Sequence, residues 1–376
     1  QTGRIQLDDV AASGTLLIPT PLTVNADGVG GAVVEVRDDV TTIGTFQIIG
    51  ATAGGTTLNV NNAGGDVVTL NTSGGNFVLQ DGTVTFENDG DDLAISTGVA
   101  AGDVRIEGSV AANASGALLE DVTINAGTGA VQLGRAPSGT DTFGGLGANQ
   151  RLGVVTVGVG NGTVDVYADL NVTRFVRNAS TQLLTFHAPV NVAGAGDALV
   201  TVDVSDVTFM NAAAVTSTTG SNVNLDGDET GDLTIGTGGM TLGGSFTETH
   251  FNNVFISGTI TTDGGDINFT DKLDLTADLS LSTGIGSGGN ISLVSVCSTD
   301  AGLPYDVTLE AGDGSVTVGQ IGLTAVSDDI NHVTINAVAG ITLNGDIFTG
   351  RDANESETGN VVFNDDVTLG TSLTID

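Results

Sequence analysis

Apolar–any–apolar triplets return along this chain at a fixed step, and that step constrains the fold more than any other feature. Ile267-Asn268-Phe269 is followed by Leu273-Asp274-Leu275, Leu279-Ser280-Leu281 and Ile291-Ser292-Leu293. Their first members lie 6, 6 and 12 residues apart, so the pattern closes after 24. Val34, Val40, Phe46 and Leu58 repeat the spacing near the start, and Val361, Val367 and Leu373 begin it again near the end. Alternate side chains of a strand face opposite ways. The outer members of each triplet therefore point into one core, and the polar middle residue points to solvent. Gly74-Gly75-Asn76, Asp81-Gly82 and Gly264-Gly265-Asp266 separate triplets with residues suited to tight corners.

Self-similarity at a fixed period marks a repeat architecture whose coils touch mainly their neighbours. The step is 20 residues around Val164, Leu170, Leu184 and Val190, and 26 from Val307 to Val333. The sequence therefore predicts an all-β chain: a single parallel β-helix (β-solenoid) running continuously over residues 1–376, with coils of about 20–26 residues. The Gly- and Thr-rich segment 136–151 and the charged segment 351–359 read as loops thrown out of that core. The phenylalanines at triplet positions, such as Phe46, Phe77 and Phe269, read as stacked core rings.

Charge narrows the partners. Nine basic residues against 45 acidic ones give a net charge of −36. Such a surface repels nucleic acid, which is bound through Lys and Arg that displace counterions, and it repels anionic lipid headgroups. It suits divalent cations and salty surroundings. No stretch of 18 apolar residues exists to insert into a membrane. Gln1 fits a trimmed mature terminus or an excised segment. Cys297 is the one cysteine, and it reads as a small buried hydrophobe.

Val122-Thr-Ile-Asn-Ala-Gly-Thr-Gly-Ala-Val-Gln-Leu-Gly134, Val307-Thr-Leu-Glu-Ala-Gly-Asp-Gly-Ser-Val-Thr-Val-Gly319 and Val333-Thr-Ile-Asn-Ala-Val-Ala-Gly-Ile-Thr-Leu-Asn-Gly345 are strings of one kind. Gly359-Asn-Val-Val-Phe-Asn-Asp-Asp-Val-Thr-Leu-Gly370 is another. They resemble the repeats of very large bacterial exoproteins of the filamentous-haemagglutinin type, and the resemblance covers most of the chain. It implies a right-handed parallel β-helix on or outside the cell. The family offers no catalytic residues to carry over, and its N-terminal secretion signature is not recognisable here.

Residues that could carry chemistry have mostly structural explanations. The pairs Asp8-Asp9, Asp38-Asp39, Asp91-Asp92, Asp328-Asp329 and Asp365-Asp366 could serve acid–base work on a glycoside. Three of them sit just before an apolar strand position, as a repeated corner would place them. His187, His250 and His332 lie several coils apart and cannot share one metal. Calcium is the better ion hypothesis. Asp226, Asp228, Glu229 and Asp232 pack four carboxylates into seven residues, and Asn88-Asp89-Gly90-Asp91-Asp92 is similar. Turn carbonyls and Asp side chains supply the oxygens that Ca²⁺ takes. Neither stretch completes an EF-hand loop, and a solvated acidic turn competes with the metal reading. Asn-x-Ser/Thr sequons fall at Asn71, Asn113, Asn161, Asn171, Asn178, Asn268, Asn290 and Asn354.

The sequence thus leads to an extracellular structural protein: a subunit or segment of a cell-surface filament, fibre or giant adhesin. It is not expected to be an enzyme, to have catalytic residues or to require a cofactor. Its partners would be itself, end to end, or the continuation of a longer chain, together with surface glycans. Two alternatives remain: a carbohydrate-active β-helix enzyme (lyase or hydrolase), and a glycan- or ice-binding wall built from outward threonines such as Thr69, Thr85 and Thr123.

Overall fold

A computed structural model describes residues 4–8, 15–25, 31–50, 56–62, 66–113, 118–136, 141–145, 150–158, 160, 162–284, 286, 288–298, 305–323, 330–349 and 359–375. Among them there are strands and turns and no helix. The chain divides into two compact units, Gln1–Val192 and Ala193–Asp376. Each is a parallel β-solenoid.

In the first unit the described strands form three files. One runs through Arg4–Leu7, Val33–Val36, Thr56–Val60 and the second halves of Phe77–Phe86 and Val104–Ala111. The second runs through Thr15–Ile18, Asp39–Thr42, Val67–Asn71, Asp92–Ser96, Val122–Asn125 and Leu152–Val157. The third joins Leu22–Asn25, Phe46–Ile49, the first halves of Phe77–Phe86 and Val104–Ala111, Val131–Leu133, Val164–Val166 and Leu184–Phe186. The second unit repeats the plan. Its longest file climbs Gly196–Thr201, Ser221–Asp226, Phe246–Thr249, Ile267–Leu275, Ile291–Cys297, Val316–Ile321, Ile341–Leu343 and Val367–Leu369.

The triplets do what their pattern dictates. Val34 pairs with Leu58, and Ile267 pairs with Ile291, both at the expected offset of 24. These outer members are buried, while the middle residues Asn59 and Ser292 are only partly covered. Fully burying one such Val, Leu, Ile or Phe contributes about 1.5–3 kcal/mol, and the two units bury them on rung after rung. Phe46 packs edge-on against Phe77 with ring centroids 5.7 Å apart, and Phe246 lies 4.9 Å from Phe269.

Offsets of 20 (Val164 to Leu184) and 26 (Val307 to Val333) fall inside the expected coil length. Others exceed it: 28 from Leu279 to Val307, and 33 from Val131 to Val164. The reason is that corners, not strands, absorb the extra residues. The 33-residue coil contains the segment 136–151, which is not one uninterrupted loop. Thr142–Phe143 within it is a short strand, and buried Phe143 pairs with Val110 below and Leu170 above. Its flanks 137–140 and 146–149 lie outside the described residues, as does 351–358 of the second expected loop. Leu373 opens no strand; the last bridge joins Ile347 to Ile375.

Glycine has a specific role at one corner of each unit. In the first unit Gly44, Gly75, Gly102, Gly129 and Gly162 stand one above another. A β-carbon added to any of the last four would overlap backbone atoms of the glycine one rung below. In the second unit Gly244, Gly265, Gly289 and Gly314 repeat the arrangement. Hydrogen-bonded strands sit about 4.8 Å apart, and at these corners the backbone itself fills that gap.

Candidate functional site

The polar side chains at the corners divide into ladders that tie rungs together and two buried acidic clusters. In the second unit, Asn222 Oδ1 accepts the Ser245 N–H (2.9 Å) and Ser245 Oγ accepts the Asp266 N–H (3.1 Å). Asp266 Oδ1 accepts the Asn290 N–H (2.7 Å), and Asn290 Oδ1 accepts the Ser315 N–H (3.0 Å). A second ladder runs Asp278, Asp306, His332, Asn360, with each side chain accepting the main-chain N–H of the next. The first unit has shorter versions, Asn76 to Asp103 to Ala130 and Asp92 to Asp121 to Val154.

The acidic pairs belong to this scheme. Asp39 accepts the Thr69 N–H, Asp92 that of Asp121, and Asp365 that of Ala337. Asp8 instead accepts from the Gln6 side chain. Asp9, Asp328 and Asp329 lie outside the described residues. A corner N–H has no ladder partner of its own, and an unmet donor is costly. Replacing Asp266 by Ala should cost about 1.5 kcal/mol, read as faster hydrogen exchange at the Asn290 amide. Asp266→Asn should retain protection, because an amide oxygen accepts equally well at Asn290.

The proposed calcium residues lie around the corner that follows Ser221–Asp226. Asp226 Oδ1 accepts from Thr249 Oγ1 (2.8 Å) and meets His250 Nδ1 (2.7 Å). Asp228 Oδ1 accepts from the Thr230 N–H and hydroxyl and from the Gly231 N–H. Burial raises the Asp228 carboxyl, but those hydrogen bonds outweigh it and hold it below its ordinary value. Asp232 Oδ1 faces the Asn252 and Asn253 amides at 3.3 and 3.0 Å. Glu229 has positive φ (66°), and so does His250 one rung on (63°). Three of the four carboxylates thus have separate hydrogen-bond partners. Among the described residues no three His, Cys, Asp or Glu side chains converge as a ligand set.

Sequence reasoning missed what stands beside this corner. Glu248 shares the inward parity of Phe246 and pairs in register between Leu225 and Phe269, so its carboxyl enters the core. It is fully buried. Oε2 accepts the Thr270 N–H (3.1 Å) and the Asp271 N–H (3.3 Å), while Oε1 has no donor. Burial, and after it the hydrogen bond and charge of the Asp271 carboxylate, which itself accepts the Phe251 N–H, together push its pKa up to about 8. Glu248 therefore holds a proton at neutral pH, favoured by the neighbouring Asp271 carboxylate. The hydrogen bond and charge of Asp226 raise His250, which stands at the exposed rim.

Arg177 was also missed. It shares the inward parity of Phe175 and is buried at the glycine corner of the first unit. Its guanidinium donates to the carbonyls of Gly158 (2.7 Å), Gly162 (3.1 Å) and Gly160 (3.4 Å), and no carboxylate pairs with it among the described residues. Burial lowers its pKa to about 10, which leaves it charged at neutral pH.

The remaining residues singled out by sequence are scattered. His187 pairs with Asp165 (3.0 Å) and stacks on Tyr167, and His332 belongs to a ladder. Cys297 is buried with Sγ 3.4 Å from the Leu273 carbonyl oxygen. Thr69 and Thr123 share one outward file with Ala94 between them, and Thr85 lies on another. A longer small polar file in the second unit runs Asn224, Thr247, Asn268, Ser292, Thr317, Thr342, Thr368. Asn171 of the sequons is buried and bonds to the Gly144 carbonyl; Asn161 and Asn354 lie outside the described residues. Comparison with protein-family models, curated proteins and solved structures returns no match.

Proposed function

We propose that this chain is an extracellular structural element, a β-solenoid subunit or segment of a cell-surface filament, fibre or giant adhesin, extended by adding rungs. One observation carries the reading. Inward positions that are sealed on the interior rungs are open on the rung formed by Val361–Phe363 and Val367–Leu369, as Ile5 is on the rung before Val34. Leu369 is 58% exposed, whereas Leu343, its partner one rung back, is 0% exposed; Val367 is 39% exposed against 1% for Ile341. Unpaired strand edges beside exposed apolar side chains are a template for another strand. The added rung comes from a second copy or from a continuing chain. The sequence resemblance to bacterial exoproteins and the acidic, lysine-poor surface support a setting outside the cell, with surface glycans as further contacts.

Placing lysines at Val367 and Leu369 tests this. The unmodified chain should give particles that lengthen with concentration in electron micrographs and light scattering, and V367K/L369K should hold them short. Monodisperse short particles of the unmodified chain at every concentration would refute self-assembly. The enzyme alternative could draw on Glu248, whose raised pKa suits a general acid. Full burial of that carboxyl keeps it out of reach of a polymeric substrate.

A further inference from the structure

A second buried acidic cluster, in the first unit, has no role in the assembly reading. Leu93 pairs with Val122, and the Leu93 N–H is bonded to the Asp121 carbonyl, so Asp91 and Glu120 occupy equivalent places on adjoining rungs. Both side chains are 0% exposed. Asp91 Oδ2 accepts the Asn88 N–H (3.0 Å) and is 3.2 Å from the Asn88 amide nitrogen. Asp91 Oδ1 and both oxygens of Glu120 have no well-formed hydrogen bond, although the main-chain N–H groups of Glu120 and Asn113 beside Glu120, and of Asn62 beside Asp91, partly offset the cost of burial. Neither residue makes an ion pair among the described residues. The surroundings add oxygens and negative charge. Asn88 Nδ2 lies against Asn61 Oδ1 and the Asn62 carbonyl, each at 3.0 Å, and Asp89 and Glu87 adjoin.

Three unmet carboxylate oxygens in a buried, oxygen-rich place are costly unless a positive charge joins them. Burial raises both carboxyls, and the charges of Asp89 and Asp91 raise Glu120 further. One shared proton would satisfy one donor–acceptor pair and leave the third oxygen unmet. A multivalent cation can engage several oxygens at once.

We propose that Asp91 and Glu120 bind a divalent cation of the calcium class, which ties two adjoining rungs of the first unit together. Calcium suits the site better than magnesium, because it accepts irregular oxygen sets while magnesium keeps an octahedral shell of waters. Only two carboxylates contribute, so the remaining ligands are main-chain carbonyls and water. A site this poor in charge belongs with weak extracellular calcium modules, whose dissociation constants are about 0.1–1 mM.

The test uses the whole chain stripped with EGTA and titrated with CaCl₂ at pH 6.5. At a tenfold excess over the dissociation constant, the folded-to-unfolded ratio of the first unit should rise roughly tenfold. D91N/E120Q, which keeps shape and removes charge, should lose that increment. Any weaker binding around Asp226 remains in both proteins and cancels. If the double variant does not fold, hydrogen exchange of the unmodified chain decides. Calcium should slow the Leu93, Leu118 and Asp121 amides about tenfold. An equal calcium response in both proteins, or unchanged exchange at those amides up to 10 times 1 mM calcium (~10 mM), overturns the proposal.

Discussion

Raising the pH from 5 to 8 will loosen the second unit, and Glu248→Gln will abolish most of that dependence. The direction follows from linkage. Glu248 in the fold has a pKa of about 8, against an ordinary value of 4.5. Between those values the folded chain holds a proton that the unfolded chain has released. Stability therefore falls as pH rises when the folded state binds more protons. The contribution is fully present below about pH 4.5, declines through the window and is gone above about pH 8. A shift of this size corresponds to about 4 kcal/mol, taking about 1.4 kcal/mol per unit and allowing for relaxation. Most other carboxylates are already ionised above pH 6, so the background between pH 6 and 8 is shallow. In E248Q the neutral amide can donate to Asp271 at any pH. Hydrogen-exchange protection of Phe269–Asp271, corrected for the intrinsic base catalysis of exchange, would show it: a steep fall with pH in the unmodified chain, a flat line in the variant. Parallel profiles in the two proteins would dismiss the shared proton.

Replacing Arg177 by methionine should open the glycine corner of the first unit at a cost of about 3 kcal/mol. Methionine fills comparable volume, so the loss is polar rather than steric. The carbonyls of Gly158, Gly160 and Gly162 converge on the guanidinium, beside which the corner holds a cavity of about 10 Å³ with room for about one water molecule. One water cannot replace three donors. Arg177→Lys should recover part of the loss, because a point charge reaches fewer carbonyls than a planar fork. Exchange at Val131, Val164 and Val157 reads the effect locally, which matters because repeat arrays need not unfold in one step. Unchanged protection in R177M would show that the corner stands on its glycines alone.

The strands were legible because a period of two within a triplet and a period of 24 between coils are both written in apolar side chains. Val34 over Leu58 and Ile267 over Ile291 needed nothing more. Corners were less legible, since their length is free wherever the chain can bulge outward. Residues 136–151 lack triplets, yet Thr142–Phe143 holds a rung there. The acidic pairs read as corner residues, but which distant N–H each would meet depends on register that composition does not carry. Glu248 and Arg177 could have been found by parity, as charged residues two positions after Phe246 and Phe175. The Asp226–Asp232 run looked like one cluster because its residues are close in sequence. In space Asp226, Asp228 and Asp232 serve three different sets of donors. Asp91 and Glu120, 29 positions apart, stand instead on adjoining rungs, near enough for the charge of Asp91 to raise Glu120.

The stacked glycines bear on how such a molecule can change over generations. At Gly75, Gly102, Gly129 and Gly162 there is no space even for a methyl group, and the obstacle is always the backbone of the preceding turn. An insertion of one residue at that corner would push one glycine off the glycine beneath it, whereas residues added at other corners leave the stack intact: successive stacked glycines lie 31, 27, 27 and 33 residues apart. Adding or deleting a complete turn also leaves each glycine facing another glycine. Lineages carrying this architecture should therefore differ in length by whole turns or at the other corners, while substitutions at these glycines remain rare.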